Sequence, residues 1–270
     1  MELDTDIAQH YAQGVETDRL TTWGRMEAVR TRDLMKRYLP SAPAEVLDVG
    51  GAEGAYALPL ARQGYRVHLV DPVPRHVEAA QRASAAQGDA PLAGVQLGDA
   101  RDLSHIADDS VDAVLMLGPL YHLTDVVDRG RALAEAKRVL RPGGVLLAAA
   151  ISRYASTLDG LRTGALDDPE FESIVVDDLD SGVHRNPKVD AKPEWFTLAY
   201  FHLPDELRSE VAQAGFTDVR VLAVEGPVLL DQATLDDPIR RATALRAIER
   251  IEAEPALLGA SPHLMAVGFT

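Results

Sequence analysis

The chain has 270 residues, 46% of them hydrophobic and 26% charged, the balance of a globular protein of one large α/β domain or one domain with a sizeable insertion. It has no cysteine and a formal net charge of −15, which excludes disulfides and thiolate metal sites and disfavours a phosphate backbone as partner. No segment approaches the roughly 18 uninterrupted apolar residues of a membrane span, and the opening "MELDTDIAQH" lacks the basic-then-apolar order of a signal peptide, so a cytoplasmic location is expected.

In chain order, residues 16 to 39 read as one or two helices stopped by Pro40. From 44 to 151, short apolar runs alternate with helical stretches. The runs are "EVLDVG", "RVHLV", "GVQLGD", "VDAVLMLG" and "GGVLLAAAIS". They are almost continuously apolar, as strands buried on both faces should be. Between them, residues 54 to 63 read as a helix ending at Gly64, Pro74 opens a second helix that Gly88 closes, and Thr124 caps a third. In that third helix Val126, Gly130, Leu133, Lys137 and Leu140 are spaced for one face, and "RPGG" ends it. Such alternation predicts a parallel sheet with right-handed crossovers. Residues 152 to 203 read as an irregular, acidic lid or insertion ending in the aromatic run "WFTLAYFH". A helix from Pro204 to Gly215, a strand in "TDVRVLAVEGP", a helical stretch around 236 to 252 and a last strand in "HLMAVGFT" complete the order.

The chemistry concentrates in "EVLDVGGAEGAYALPLARQGYRVHLVDP", residues 45 to 72. A strand that ends in glycines and enters a helix leaves bare backbone N–H groups at the carboxyl edge of the sheet, where ligands of α/β folds bind. Asp71 closes the next strand, where a carboxylate can accept from both hydroxyls of a ribose, so the unit is suited to a nucleoside. The spacing "GGAEG" departs from the G-x-G-x-x-G of dinucleotide sites, and Asp48 beside the loop would repel a pyrophosphate and favour a cation.

These stretches resemble the motif series of class I S-adenosylmethionine-dependent methyltransferases. "VLDVGGAEG" resembles the first motif, "HLVDP" the second, "GDARDL" the third, "VDAVLMLGPLYHL" the fourth, and "AKRVLRPGGVLLAA" the helix and fifth strand that follow. The resemblance implies a doubly wound, Rossmann-like sheet of seven strands, mostly parallel with the last antiparallel. Its expected divisions are an N-terminal helical cap (1–40), a cofactor-binding core (41–151), a lid or substrate insertion (152–203) and a C-terminal completion of the sheet (204–270). The implied cofactor is S-adenosyl-L-methionine. Asp48 would hold the methionine amino group through water, and Gly50, Gly51, Ala52 and Gly54 would shape the turn beside the methionine moiety and ribose. Asp71 would bind the ribose hydroxyls, and Pro72 would pack on adenine. Asp99 would accept from the adenine amino group, with the Ala100 N–H donating to the ring. Leu117 and Gly118 would line the sulfonium side, and Tyr11 and Arg19 would close over the methionine end. Ala52 replaces the family's middle glycine. It is expected to tighten the loop without losing binding, and to be strained if the position needs a positive φ.

On the acceptor side, His122 and Tyr121 stand just past the fourth strand. His122 is a candidate general base or merely a polar helix-end residue, and Tyr121 a substrate wall or plain packing. Arg153, Tyr154, His184, Tyr200 and His202 are candidates to touch substrate. The histidines form no H-x-x-x-H pair with supporting acids, so no metal is expected. The implied reaction is methyl transfer to nitrogen or oxygen of a small molecule, a specialised metabolite being one expected class, without a nucleic-acid or membrane partner. N-, O- and C-methylation, the use of a base and a homodimeric state stay open. A nicotinamide-dinucleotide oxidoreductase and a non-catalytic nucleoside-binding protein are the alternatives.

Overall fold

The structure is a computed structural model and describes residues 4–14 and 18–270. Residues 16 and 17, which open the first expected helical stretch, lie outside the described residues. Helix α1 (Thr5–Ala12) starts from Asp4, whose side chain accepts from the Asp6 N–H, and α2 (Arg25–Tyr38) ends just before Pro40. The core then runs β1 (Glu45–Val49), α3 (Ala57–Arg62), β2 (Arg66–Asp71), α4 (Pro74–Ala86), β3 (Gly94–Leu97), β4 (Val111–Met116), α5 (Pro119–His122), α6 (Val126–Val139) and β5 (Leu140–Ser152). Gly64 and Gly88 follow α3 and α4 at φ 91° and 68°, left-handed positions that glycine adopts without a Cβ clash.

The chain continues through α7 (Ala155–Thr163), α8 (Pro169–Ser181), β6 (Val183–His184), β7 (Ala199–His202), α9 (Pro204–Gln213) and β8 (Thr217–Ala223). It closes with α10 (Gln232–Asp236), α11 (Pro238–Glu249), α12 (Pro255–Leu258) and β9 (His263–Phe269). The main sheet has the order β3-β2-β1-β4-β5-β9-β8, and β9 is antiparallel to both neighbours. It is the doubly wound seven-strand sheet expected from the sequence. Ile151 pairs with both His263 and Phe201, so β7 must lie on the opposite edge of β5 from β9, where β4 has already ended.

Register places the site. Val49 pairs with Val70 on one side and Met116 on the other, so β1, β2 and β4 end almost level. Asp71 pairs with Leu97, which brings the turn after β3 to the same edge. Side chains alternate between two buried layers. Leu47 and Val49 pack with Leu133 of α6 and Leu207 of α9, whereas Val46 packs with Leu34, Leu60 and Ala80 from α2, α3 and α4.

Two local expectations are corrected. Asp125, not Thr124, caps α6 by accepting from the Val127 N–H. The buried face of α6 is Arg129, Ala132, Leu133, Ala136 and Val139, while Val126 is exposed. Residues 152 to 203 are not irregular either. Asp168 caps α8 ahead of Pro169, and Gly164 and Gly182 end α7 and α8 in left-handed conformations. Phe171, Ile174, Val175 and Trp195 form a small core of their own there. Acidic residues in "VVDDLD" mask that helix because they occupy its solvent face, except Asp178, which is buried.

Candidate active site

Two chambers meet at the carboxyl edge of the sheet. The first, of about 600 Å3, is framed by the loop after β1, the end of β2, the turn after β3 and α5. The second, of about 1480 Å3, lies between the lid segment α7–β7 and the loops before β9. Tyr11, Arg19 and Tyr121 line both.

The loop of the first chamber is built for close approach. A Cβ at Gly50, which sits at φ 72°, would lie 2.8 Å from the Pro119 ring, and one at Gly51 would lie 2.8 Å from the Asp48 carboxyl. Neither position has room for a side chain. Ala52 does occupy the left-handed region, at φ 47°. The strain foreseen for an alanine there is therefore present, on the order of 1 kcal/mol. Its N–H donates to Asp71 Oδ2 at 2.8 Å, a charge-assisted bond that offsets the strain and ties the loop to β2.

Asp71 is buried and already well supplied with donors. Oδ1 accepts from the Val73 N–H at 2.9 Å and faces His76 Nδ1 at 3.0 Å. A carboxylate has about four acceptor sites, so Oδ2 keeps capacity for a ligand hydroxyl. Asp48 is 1% exposed, and its Oδ2 has no hydrogen-bond partner. Burial, and then the neighbouring charge of Asp71, push its pKa up to about 7, against a hydrogen bond from the Ala57 backbone. A buried carboxylate with an unsatisfied oxygen, next to a second carboxylate, is costly unless a cation or donor completes it. The cleft thus fits a nucleoside that carries ammonium and sulfonium charge. It does not suit a pyrophosphate.

Asp99 is clamped by Arg101, whose Nη2 and Nε reach its two oxygens at 2.6 and 2.9 Å. Burial would raise the Asp99 pKa, but this guanidinium holds it below the ordinary carboxylate range. Arg101 also donates to Asp128 at 2.7 Å. Tyr11, Arg19, Asp48, Gly50, Gly51, Ala52, Asp71, Pro72, Asp99, Ala100, Leu117 and Gly118 all line the first chamber. Gly54 does not; it serves the turn behind it, at φ 91° against Leu58. Sequence reasoning missed Glu53, Arg75, His76 and Arg101, which line the same chamber. "DPVPRH" and "DAR" follow the strand ends directly, so position along the chain carried that signal.

Tyr121 stands where the chambers join, and His122 lies beside it in the first. His122 Nε2 is 2.7 Å from the Tyr11 hydroxyl. The Tyr121 hydroxyl donates to the Leu117 carbonyl at 3.1 Å, which fixes its ring as a wall. Phe196 closes the group, 5.8 Å from the His122 ring, and holds φ 68° and ψ −157°, a region nearly reserved for glycine.

The five residues expected to touch substrate divide sharply. His184 lines the second chamber, but it is buried, with Nδ1 at Asp178 and Nε2 2.8 Å from the Trp195 carbonyl, and it stacks on Phe201. It braces the lid. Arg153, Tyr154, Tyr200 and His202 line neither chamber. The reason is strand alternation: Phe201 faces the chamber, so Tyr200 and His202 face the other way. There Arg129 lies 3.8 Å from the Tyr200 ring centre, and Glu210 binds both Arg129 and His202. Arg153 donates to the Phe201 carbonyl and to Glu206.

A last cluster sits on the wall of the second chamber. His263 Nδ1 is 2.6 Å from Glu225 and 3.7 Å from Glu27, and Arg19 pairs with Glu27. Burial would lower the His263 pKa, but the two carboxylates push it up to about 9. Glu27, Glu225 and His263 could in principle chelate a metal. The imidazolium and Arg19 already supply the positive charge that an ion would bring.

Comparison with known proteins agrees with this geometry. The family described as a methyltransferase domain matches residues 47–148. The uncharacterized methyltransferase Mb3374 of Mycobacterium bovis is 38% identical over 108 residues, 40% of each chain. The ubiquinone biosynthesis O-methyltransferase of Methylocella silvestris is 33% identical over 152 residues, 50% of this chain and 55% of the relative. The tRNA 5-carboxymethoxyuridine methyltransferase of Escherichia coli is 31% identical over 144 residues, 52% and 53% respectively. The chain thus spans about half the length of these curated relatives, or less. A solved S-adenosylmethionine-dependent methyltransferase from Mesorhizobium loti shares the fold with TM-score 0.58 and 15% identity, over 91% of this chain and all of that one. Residues 47–148, which hold most of the motif series, thus match a methyltransferase domain, and the comparisons support a class I S-adenosylmethionine-dependent methyltransferase with S-adenosylmethionine as its cofactor.

Proposed function

We propose that the protein is an enzyme that transfers the methyl group of S-adenosylmethionine to a nitrogen or oxygen of a small molecule by in-line displacement. The observation that carries this reading is the junction of the two chambers at Tyr11, Arg19 and Tyr121, with His122 of the first chamber 2.7 Å from the Tyr11 hydroxyl. When bound, the cofactor supplies an electrophilic methyl on a positively charged sulfur. Asp48 and Asp71 hold the donor end, the glycine loop admits it closely, and the aromatic group at the junction excludes water. Alignment in a dry pocket supplies most of the acceleration in such a displacement. Where the acceptor atom carries a proton, His122 would receive it by way of the Tyr11 hydroxyl, which lies 2.7 Å from its Nε2.

In this reading the described part of residues 1–40 caps the core at 41–151, the lid at 152–203 forms the acceptor wall, and 204–270 complete the sheet. The relatives named for ubiquinone biosynthesis favour a small acceptor. The tRNA-directed relative is the counter-example; a net charge of −15 weighs against a polyanion here. Among the described residues no helix is long and apolar enough to cross a membrane.

The test is incubation with methyl-labelled cofactor and either a metabolite extract or tRNA. Label in a small-molecule fraction alone is expected. Label in tRNA would move the acceptor class, and label in neither would favour a protein that binds the nucleoside without turnover. Calorimetry with S-adenosylhomocysteine and with reduced nicotinamide dinucleotide separates the remaining alternative: tight binding of the second alone would end the methyltransferase reading.

A further inference from the structure

The second chamber has a chemistry of its own. Its volume, about 1480 Å3, exceeds the roughly 300–1,000 Å3 of ordinary small-ligand pockets. Trp23, Phe171, Trp195, Phe196, Phe201 and Leu229 supply much of its wall. Each cation on that wall is already neutralised by a carboxylate. Arg19 pairs with Glu27, Arg162 with Asp159 at 2.5 Å, Lys192 with Asp168 at 3.7 Å and His263 with Glu225 at 2.6 Å. Asp167 and Glu194 add further negative charge. An anionic ligand would meet no uncommitted positive charge among these groups, and would be repelled by the acids.

His263 differs from the other three cations in what it leaves over. Its Nδ1 is turned to Glu225, and the backbone N–H of the same residue donates to Glu225 Oε2 at 3.1 Å. Ser261 also bonds that carboxylate, so the ring is fixed from one side. His263 lines the chamber with 22% of its side chain exposed, and among the described residues no hydrogen bond engages Nε2, the ring nitrogen turned away from Glu225. The result is a rigid N–H donor in a locally charge-balanced, mostly apolar wall. Such a donor matches a neutral oxygen acceptor, and a ligand that fails to supply one leaves it unsatisfied.

We propose that the second chamber receives a neutral, predominantly apolar molecule bearing a carbonyl or hydroxyl oxygen, and that the Nε2 edge of His263 anchors that oxygen. This rests on reading the chamber as the methyl-acceptor site. His263 is a positioning residue: it orients the acceptor and takes no part in the transfer.

The test uses prodan, a neutral naphthalene ketone whose emission shifts to the red when its carbonyl accepts a hydrogen bond. Its comparison is dimethylaminonaphthalene, the same ring system without the ketone. Both are titrated into the full-length protein saturated with S-adenosylhomocysteine. The wild type is expected to bind the ketone about five- to tenfold more tightly, as one hydrogen bond supplies, with red-shifted emission. His263→Leu should erase the preference and the shift, whereas His263→Gln, which keeps a donor, should retain most of both. No preference in the wild type, or a preference that survives in His263→Leu, overturns the proposal. The wild-type comparison decides even if the leucine variant fails to fold. S-adenosylhomocysteine binding is read separately, so its loss would sink the methyltransferase reading and leave the probe comparison standing.

Discussion

Asp48 is a buried carboxylate of the cleft with one oxygen unpartnered. Its raised pKa, about 7, links binding to protons. A cationic ligand selects the ionised form, so binding near and below pH 7 should release a proton. Calorimetry in two buffers of different ionisation heat should detect that release, and Asp48→Asn should abolish it. An equal observed enthalpy in both buffers would contradict the assignment. The sign for folding is the reverse of the usual carboxylate case. The folded pKa lies above the unfolded value near 4, so the ligand-free protein loses stability as pH rises from about 4 to about 7. Asp48→Asn should remove that loss. Asp71→Ala should weaken S-adenosylhomocysteine binding by about 1–3 kcal/mol, the worth of its hydrogen bonds; unchanged affinity would show that the ribose lies elsewhere. At Ala52, glycine relieves the positive φ, and Ala52→Gly should stabilise the protein by about 0.5–1 kcal/mol with cofactor affinity retained. A destabilised variant would mean the loop is not strained there.

The elements around the cleft are held by buried ion pairs that the sequence pattern hides. Arg129 of α6 is 2% exposed and binds Glu210 of α9 and the carbonyls of Leu123 and Thr124. Removing it would strand Glu210 beside His202. Arg129→Ala should therefore cost about 3–5 kcal/mol in denaturant unfolding. A loss under 1 kcal/mol would mean that α6 and α9 are held by their apolar contacts alone. Strand β9 shows a pH signature. Its His263 has a folded pKa of about 9, above the ordinary 6.5. That pair's stabilisation is fully present below about pH 6.5 and lost as pH rises through about 9. The melting temperature should fall over that interval, and His263→Gln should flatten the fall. A wild-type curve without the fall would place the proton elsewhere.

For the molecule as a whole, what could be read early was whatever local chemistry dictates. Strand ends marked by glycine and aspartate pointed to the chamber proposed for the cofactor, because φ and close approach restrict those positions to few residue types. Alternation of strand and helix foretold a parallel sheet, and the family resemblance implied its seven strands with the last antiparallel. The acceptor side was much less legible. Tyr200 and His202 were expected at the substrate and sit on the opposite face of β7, because one residue of offset in a strand reverses the face and nothing local fixes it. Arg153 was absorbed into lid packing, and helix α8 was hidden by its acidic solvent face. His263 lies over two hundred residues from Glu27 in sequence, so only the closed sheet brings them together.

The central claim is that the chamber bounded by the β1 loop and Asp71 holds S-adenosylmethionine. A crystal structure grown with S-adenosylhomocysteine tests it most directly. The account predicts the amino end near Asp48, ribose hydroxyls on Asp71 and the sulfur directed toward Tyr121 and His122. A cleft that excludes the ligand, or one in which Asp48 and Asp71 point away from it, would contradict the account.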